Sequence, residues 1–74
     1  MCLGIPGRII DFSDKHPDLA RVDVHGVTRD INMALLADAP PVVGDWILIH
    51  LGFALERLDA EQAREAQSAL VDLA

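Results

Sequence analysis

Between Leu19 and His25 the side chains alternate strictly, with Ala20, Val22 and Val24 apolar and Arg21, Asp23 and His25 polar. Period-two alternation places one face against a core and the other in water, which is the pattern of a half-buried strand. His25-Gly26 supplies a tight connection. Val27-Thr28-Arg29-Asp30-Ile31-Asn32-Met33 then returns with Val27, Ile31 and Met33 on a common face, so the two runs form a hairpin.

Three further strands are expected around this pair. Gly4-Ile5-Pro6-Gly7 is read as irregular, because proline lacks a ladder donor and glycine opens backbone conformations that other residues avoid. It yields to a short strand over Arg8-Ile9-Ile10-Asp11-Phe12, followed by a polar loop from Ser13 to Asp18. Pro40-Pro41 ends an irregular stretch, and Val43-Gly44-Asp45 turns into Trp46-Ile47-Leu48-Ile49-His50-Leu51, which is apolar on both faces and therefore central. Gly52 is placed at a bend or bulge, with Phe53 to Leu58 carrying the chain onward. Asp59 offers an N-cap with Gln62 three residues later, and Ala63, Ala66, Leu70 and Leu73 recur at helical spacing. The fold class is mainly β: a small five-stranded barrel, similar in kind to an oligonucleotide-binding fold, over residues 1–58. A C-terminal amphipathic helix over residues 59–74 packs as part of the same single domain.

Composition narrows the function classes. A chain of 74 residues is one domain at most, and 51% hydrophobic content is too rich for disorder. No stretch approaches the roughly 20 apolar residues of a membrane-spanning helix, and the start lacks the basic and apolar regions of a secretion signal. The protein is expected to be cytoplasmic, off the membrane and monomeric when free. A net charge of −6 repels phosphate backbones, and Phe12, Trp46 and Phe53 are the only aromatics, so nucleic acid is excluded as a partner.

Chemistry concentrates on two residues. Cys2 is the sole cysteine, so it cannot close an intramolecular disulfide. If Met1 is trimmed, its thiol adjoins a free α-ammonium, which favours thiolate. It is either a reactive or ligating sulfur or a small hydrophobe tucked under the first strand. Of the three histidines, His16 precedes a proline in a loop and His25 lies at a hairpin turn, both solvated positions. His50 shares a strand face with Trp46 and Leu48 just before Gly52. It is either a ligand at a barrel rim or a core-edge imidazole satisfied by a backbone carbonyl. One Cys and one His cannot complete a zinc cage. They do suit a carrier that must release a metal fragment, because a soft thiolate and an imidazole leave coordination positions open. Ser-His-Asp arrangements, phosphate-binding glycine loops and dinucleotide fingerprints are missing from the sequence. A cysteine hydrolase built on Cys2 and His50 would need a substrate cleft for which a chain this short leaves little room.

Three blocks resemble the HypC/HupF family of hydrogenase assembly chaperones: Met1-Cys2-Leu3-Gly4-Ile5-Pro6-Gly7, Gly26-Val27-Thr28-Arg29-Asp30-Ile31, and Val43 through Leu55. The first and third together are highly specific, and no block departs from the family pattern. The resemblance implies a non-enzymatic protein with an oligonucleotide-binding type of barrel that does not bind nucleic acid. It implies a partner, the iron–sulfur protein HypD, with which iron acquires cyanide and carbon monoxide. It further implies delivery of that Fe(CN)2(CO) fragment, the only cofactor-like cargo expected and a transient one, to the precursor of a hydrogenase large subunit. By the same resemblance, Cys2 and His50 would be the iron ligands. Cys2, Leu3, Gly4, Ile5, Pro6 and Gly7 would meet the partner, with Pro6 and Gly7 holding the segment in position. The competing reading is a generic barrel interaction module in which Cys2 is passive.

Overall fold

The computed structural model describes residues 4–73, with side chains described through Ser68. Its first strand, β1, runs over Ile5–Phe12 and so begins three residues before the expected Arg8 start. Pro6 and Gly7 are strand residues and not an irregular lead-in, and the pairing explains why they are tolerated. Over Ile5 to Gly7 the strand pairs only with Trp46–His50, here β4, through Ile5 with Ile49, Pro6 with Leu48 and Gly7 with Ile47. Register with the next strand starts only at Arg8. The proline therefore sits where one side of the ladder is open, the setting in which a missing donor costs least. Gly7 faces the core: a Cβ there would come within 2.5 Å of Val22 Cγ1 and 2.7 Å of Ile49 Cδ1.

The alternating segment forms β2, Leu19–Val24, and its return forms β3, Val27–Asn32, in register from Leu19 with Asn32 to Val24 with Val27. His25 and Gly26 have φ of 50° and 84°, the left-handed pair that a two-residue type I′ turn requires. Ala20, Val22 and Ile31 are buried as expected. Val27 is not, at 53% exposure, because it lies beside the turn at the barrel's end. Met33 is buried but belongs to the start of a single 3-10 turn, Ala34–Leu36, within the stretch read as irregular. The Asn32 side chain accepts from the Ala34 amide at 2.8 Å and so initiates that turn.

The strand β4 ends at His50, and β5 covers Phe53–Leu58. Leu51 and Gly52 have φ of 52° and 84°, and His50 pairs directly with Phe53. Gly52 thus belongs to a second type I′ hairpin turn and not to a bend or bulge within one strand. The irregularity falls instead between Leu48 and Ile49, which pair with Glu56 and Ala54 and leave Leu55 as the extra residue.

The sheet closes in the order β1-β2-β3-β5-β4, with every neighbouring pair antiparallel except β3 and β5. Closure gives every strand two neighbours, with a one-sided stretch left at Ile5 to Gly7. Ile9, Ala20, Val22, Ile31, Met33, Ile47, Ile49 and Ala54 fill the interior, with Val24 and Leu36 packed against them. The helix α1, Ala60–Leu73, packs on β1, β4 and β5. Trp46 and Leu48 point outward by alternation yet are half-buried, and Pro6 beside Leu48 is fully buried. This is why β4 is apolar on both faces: one faces the barrel interior and the other the helix, where Ala63 is 1% exposed. The helix starts with the expected reciprocal cap. The Asp59 amide donates to Gln62 Oε1 at 2.9 Å, and the Gln62 amide donates to Asp59 Oδ1 at 2.7 Å. Among the described residues no helix is long and apolar enough to cross a membrane.

Candidate functional site at the barrel rim

The outward row Trp46, Leu48, His50 runs along β4, against which the helix packs; the first two residues are half-buried and His50 is exposed. Across the hairpin its direct partner is Phe53, 40% exposed, and directly opposed residues of an antiparallel pair point to the same face. Leu51, at the tip between them, is 84% exposed. On the other flank β1 begins at Ile5, which is 43% exposed opposite Ile49. Gly4 lies so close to β4 that a Cβ would meet the Ile49 carbonyl oxygen at 2.6 Å and Leu48 Cγ at 2.9 Å. Only glycine lets the chain pass there. The polypeptide therefore enters the barrel against the last turn of β4, immediately beside His50.

The His50 imidazole is exposed and makes no hydrogen bond to any described residue. Among the described residues no three His, Cys, Asp or Glu side chains converge to hold a metal. Cys2 and Leu3 lie outside the described residues. Of the rest of the opening block, Gly4, Pro6 and Gly7 are buried and shape the path of the strand, leaving Ile5 as the side chain open to a partner. His16 and His25 are both exposed, the first with its amide donating to Ser13 Oγ at 3.2 Å.

The Val43-Gly44-Asp45 segment serves the scaffold. Gly44 adopts φ of 94°, the Asp45 amide donates to the Val42 carbonyl at 3.0 Å, and Asp45 Oδ2 accepts from the Val42 amide at 2.9 Å. The turn is fastened to β1 by Gly44 N–H to the Ile9 carbonyl at 2.8 Å and by Ile9 N–H to the Asp45 carbonyl at 2.9 Å. Arg57 Nη2 lies 3.2 Å from Asp45 Oδ2. Sequence reasoning missed the exposed Leu51. The signal was present, since Leu51-Gly52 sits between two apolar runs as His25-Gly26 does.

Fold and rim together define a small closed β-barrel of the oligonucleotide-binding kind, with its exposed imidazole and apolar side chains gathered where the chain enters. The family model described as HupF/HypC matches residues 1–70, and the chain belongs to the HupF/HypC family. It is 44% identical over 75 residues to the hydrogenase maturation factor HypC of Rhodobacter capsulatus, covering 99% of this chain and 78% of that protein. It is 38% identical over 72 residues to the hydrogenase maturation factor HybG of Escherichia coli K12, covering 95% of this chain and 88% of that protein. A further relative, the Frd operon uncharacterized protein C of Proteus vulgaris, is 40% identical over 73 residues, with 96% and 76% covered. HypC and HybG are named as maturation factors and not as enzymes, in agreement with the expectation of a non-enzymatic chain.

Proposed function

We propose that this chain is a hydrogenase maturation chaperone that holds an iron fragment between the Cys2 thiolate and the His50 imidazole, receives it in complex with HypD, and passes it to a hydrogenase large-subunit precursor. The observation that supports this reading is the close approach of Gly4 to Ile49, the residue before the exposed His50. Two peptide units separate Cys2 from Gly4, a tether of at most about 7 Å.

Two donors are few enough to let go. The thiolate supplies soft, electron-rich ligation and the neutral imidazole a borderline nitrogen, and the remaining positions are left to cyanide, carbon monoxide and the partner's side chains. Release then needs only two bonds to be exchanged. Phe53 and Ile5 flank the site with apolar surface that HypD can cover, drying the cargo while it is transferred.

The test is anaerobic co-purification with HypD, measuring bound iron and the infrared bands of cyanide and carbonyl ligands. Cys2→Ala is expected to melt like the parent chain yet lose HypD binding, the infrared bands and hydrogenase maturation. Normal maturation with that variant would overturn the assigned role.

A further inference from the structure

Both hairpin turns place their first residue in the left-handed region, His25 at φ 50° and Leu51 at φ 52°, each followed by a glycine. Histidine is several-fold enriched in that conformation, whereas a bulky apolar residue is an outlier there, at a cost of about 1–2 kcal/mol. Asparagine would relieve the strain in a two-residue turn of this type. Among the described residues nothing offsets this for Leu51: at 84% it is the most exposed of the large hydrophobic residues described. Two separate penalties, backbone strain and an uncovered leucine, fall on a single side chain next to His50. Strain of this kind persists where it serves a function.

The tip is also held rigidly. His50 and Phe53 pair beneath it, and the Gly52 carbonyl accepts from the Asn32 amide at 2.9 Å, tying the turn to a strand outside its own hairpin. A fixed, protruding apolar residue loses little entropy on entering a pocket, which is the property of an interface anchor. A second copy of this chain is a poor occupant, because each copy carries a net charge of −6.

We infer that Leu51 is the anchor by which this rim docks, inserting into an apolar pocket on a different protein and seating that protein over His50. The inference rests on the reading above in taking HypD as that protein. The pocket it fits is leucine-sized and apolar, with a rim that is neutral or basic to suit the acidic chaperone.

Leu51→Asn separates docking from folding. HypD binding is measured for the parent chain, Leu51→Asn, Leu51→Met and Cys2→Ala, alongside thermal melting of each. Leu51→Asn is expected to raise Tm by a few degrees through relief of strain while weakening HypD binding by about tenfold or more. Leu51→Met keeps the apolar anchor and should bind within about threefold of the parent. Parent-like binding by Leu51→Asn, with Cys2→Ala inactive, would overturn the anchor and leave the cargo role standing. A fall in Tm for Leu51→Asn would also overturn it, since Leu51 would then be supporting the fold. If the parent chain itself does not bind HypD, both the functional reading and the anchor fall together.

Discussion

His50 and Phe53 face each other directly across the β4–β5 hairpin, so the exposed imidazole has an aromatic ring as its cross-strand neighbour. On the other side of His50, Gly4 passes close to the Ile49 carbonyl and Leu48.

Substituting His50→Ala should therefore affect cargo and not architecture. The side chain is exposed and makes no hydrogen bond to the described residues, so the free energy of unfolding should change by no more than about 0.5 kcal/mol. Iron retained after anaerobic gel filtration of the HypD complex should fall, with docking less affected. Unchanged iron content in the complex would remove His50 from the ligand set.

Gly7→Ala addresses the scaffold. The new methyl group would meet Val22 Cγ1 at 2.5 Å and Ile49 Cδ1 at 2.7 Å inside a filled core, and overpacking of this kind costs about 1–3 kcal/mol. Circular-dichroism melting should show a Tm lowered by several degrees or more. A parent-like Tm would mean that the core at Val22 yields freely.

The fold was legible in the sequence where alternation or capping is local: the β2–β3 hairpin, β5 and the Asp59–Gln62 cap all lie where the pattern puts them. It was illegible where a long-range partner decides. Pro6 and Gly7 carry the local signature of a turn, and only pairing with β4, across some forty residues of chain, makes them strand. Leu51-Gly52 was misplaced for another reason: leucine is not a turn residue, so Leu51 reads as the last residue of the strand and Gly52 as a bend or bulge instead of the two together as a hairpin turn. At the rim, His50 was visible because it breaks an apolar strand. The exposure of Leu51 was missed because a leucine next to an apolar strand resembles core, although the glycine after it signals a turn.

The Asp45 turn tests how much of the third block is scaffold. Arg57→Ala removes an ion pair whose arginine side chain is 53% exposed, worth about 0–1 kcal/mol. Asp45→Ala removes the same pair and also the acceptor for the Val42 amide, which caps the turn fastened to β1. Urea unfolding should rank Asp45→Ala as the more destabilised by about 1 kcal/mol. Equal losses would assign the whole effect to the ion pair.

The helix cap decides whether α1 is needed to keep the outer row of β4 covered. Asp59→Ala deletes the acceptor for the Gln62 amide at 2.7 Å and leaves that donor to water, a change worth about 1 kcal/mol at an N-cap. The Gln62 side chain would still reach the Asp59-position amide, so loss should be partial and Gln62→Ala should add less than a second full increment, because the two bonds form one reciprocal unit. Since α1 packs on β1, β4 and β5, fraying its first turn loosens its packing on those strands. Hydrogen exchange at the β1–β4 ladder should accelerate together with that of the helix. Faster exchange in the helix alone would show that the barrel holds its entry strand without it.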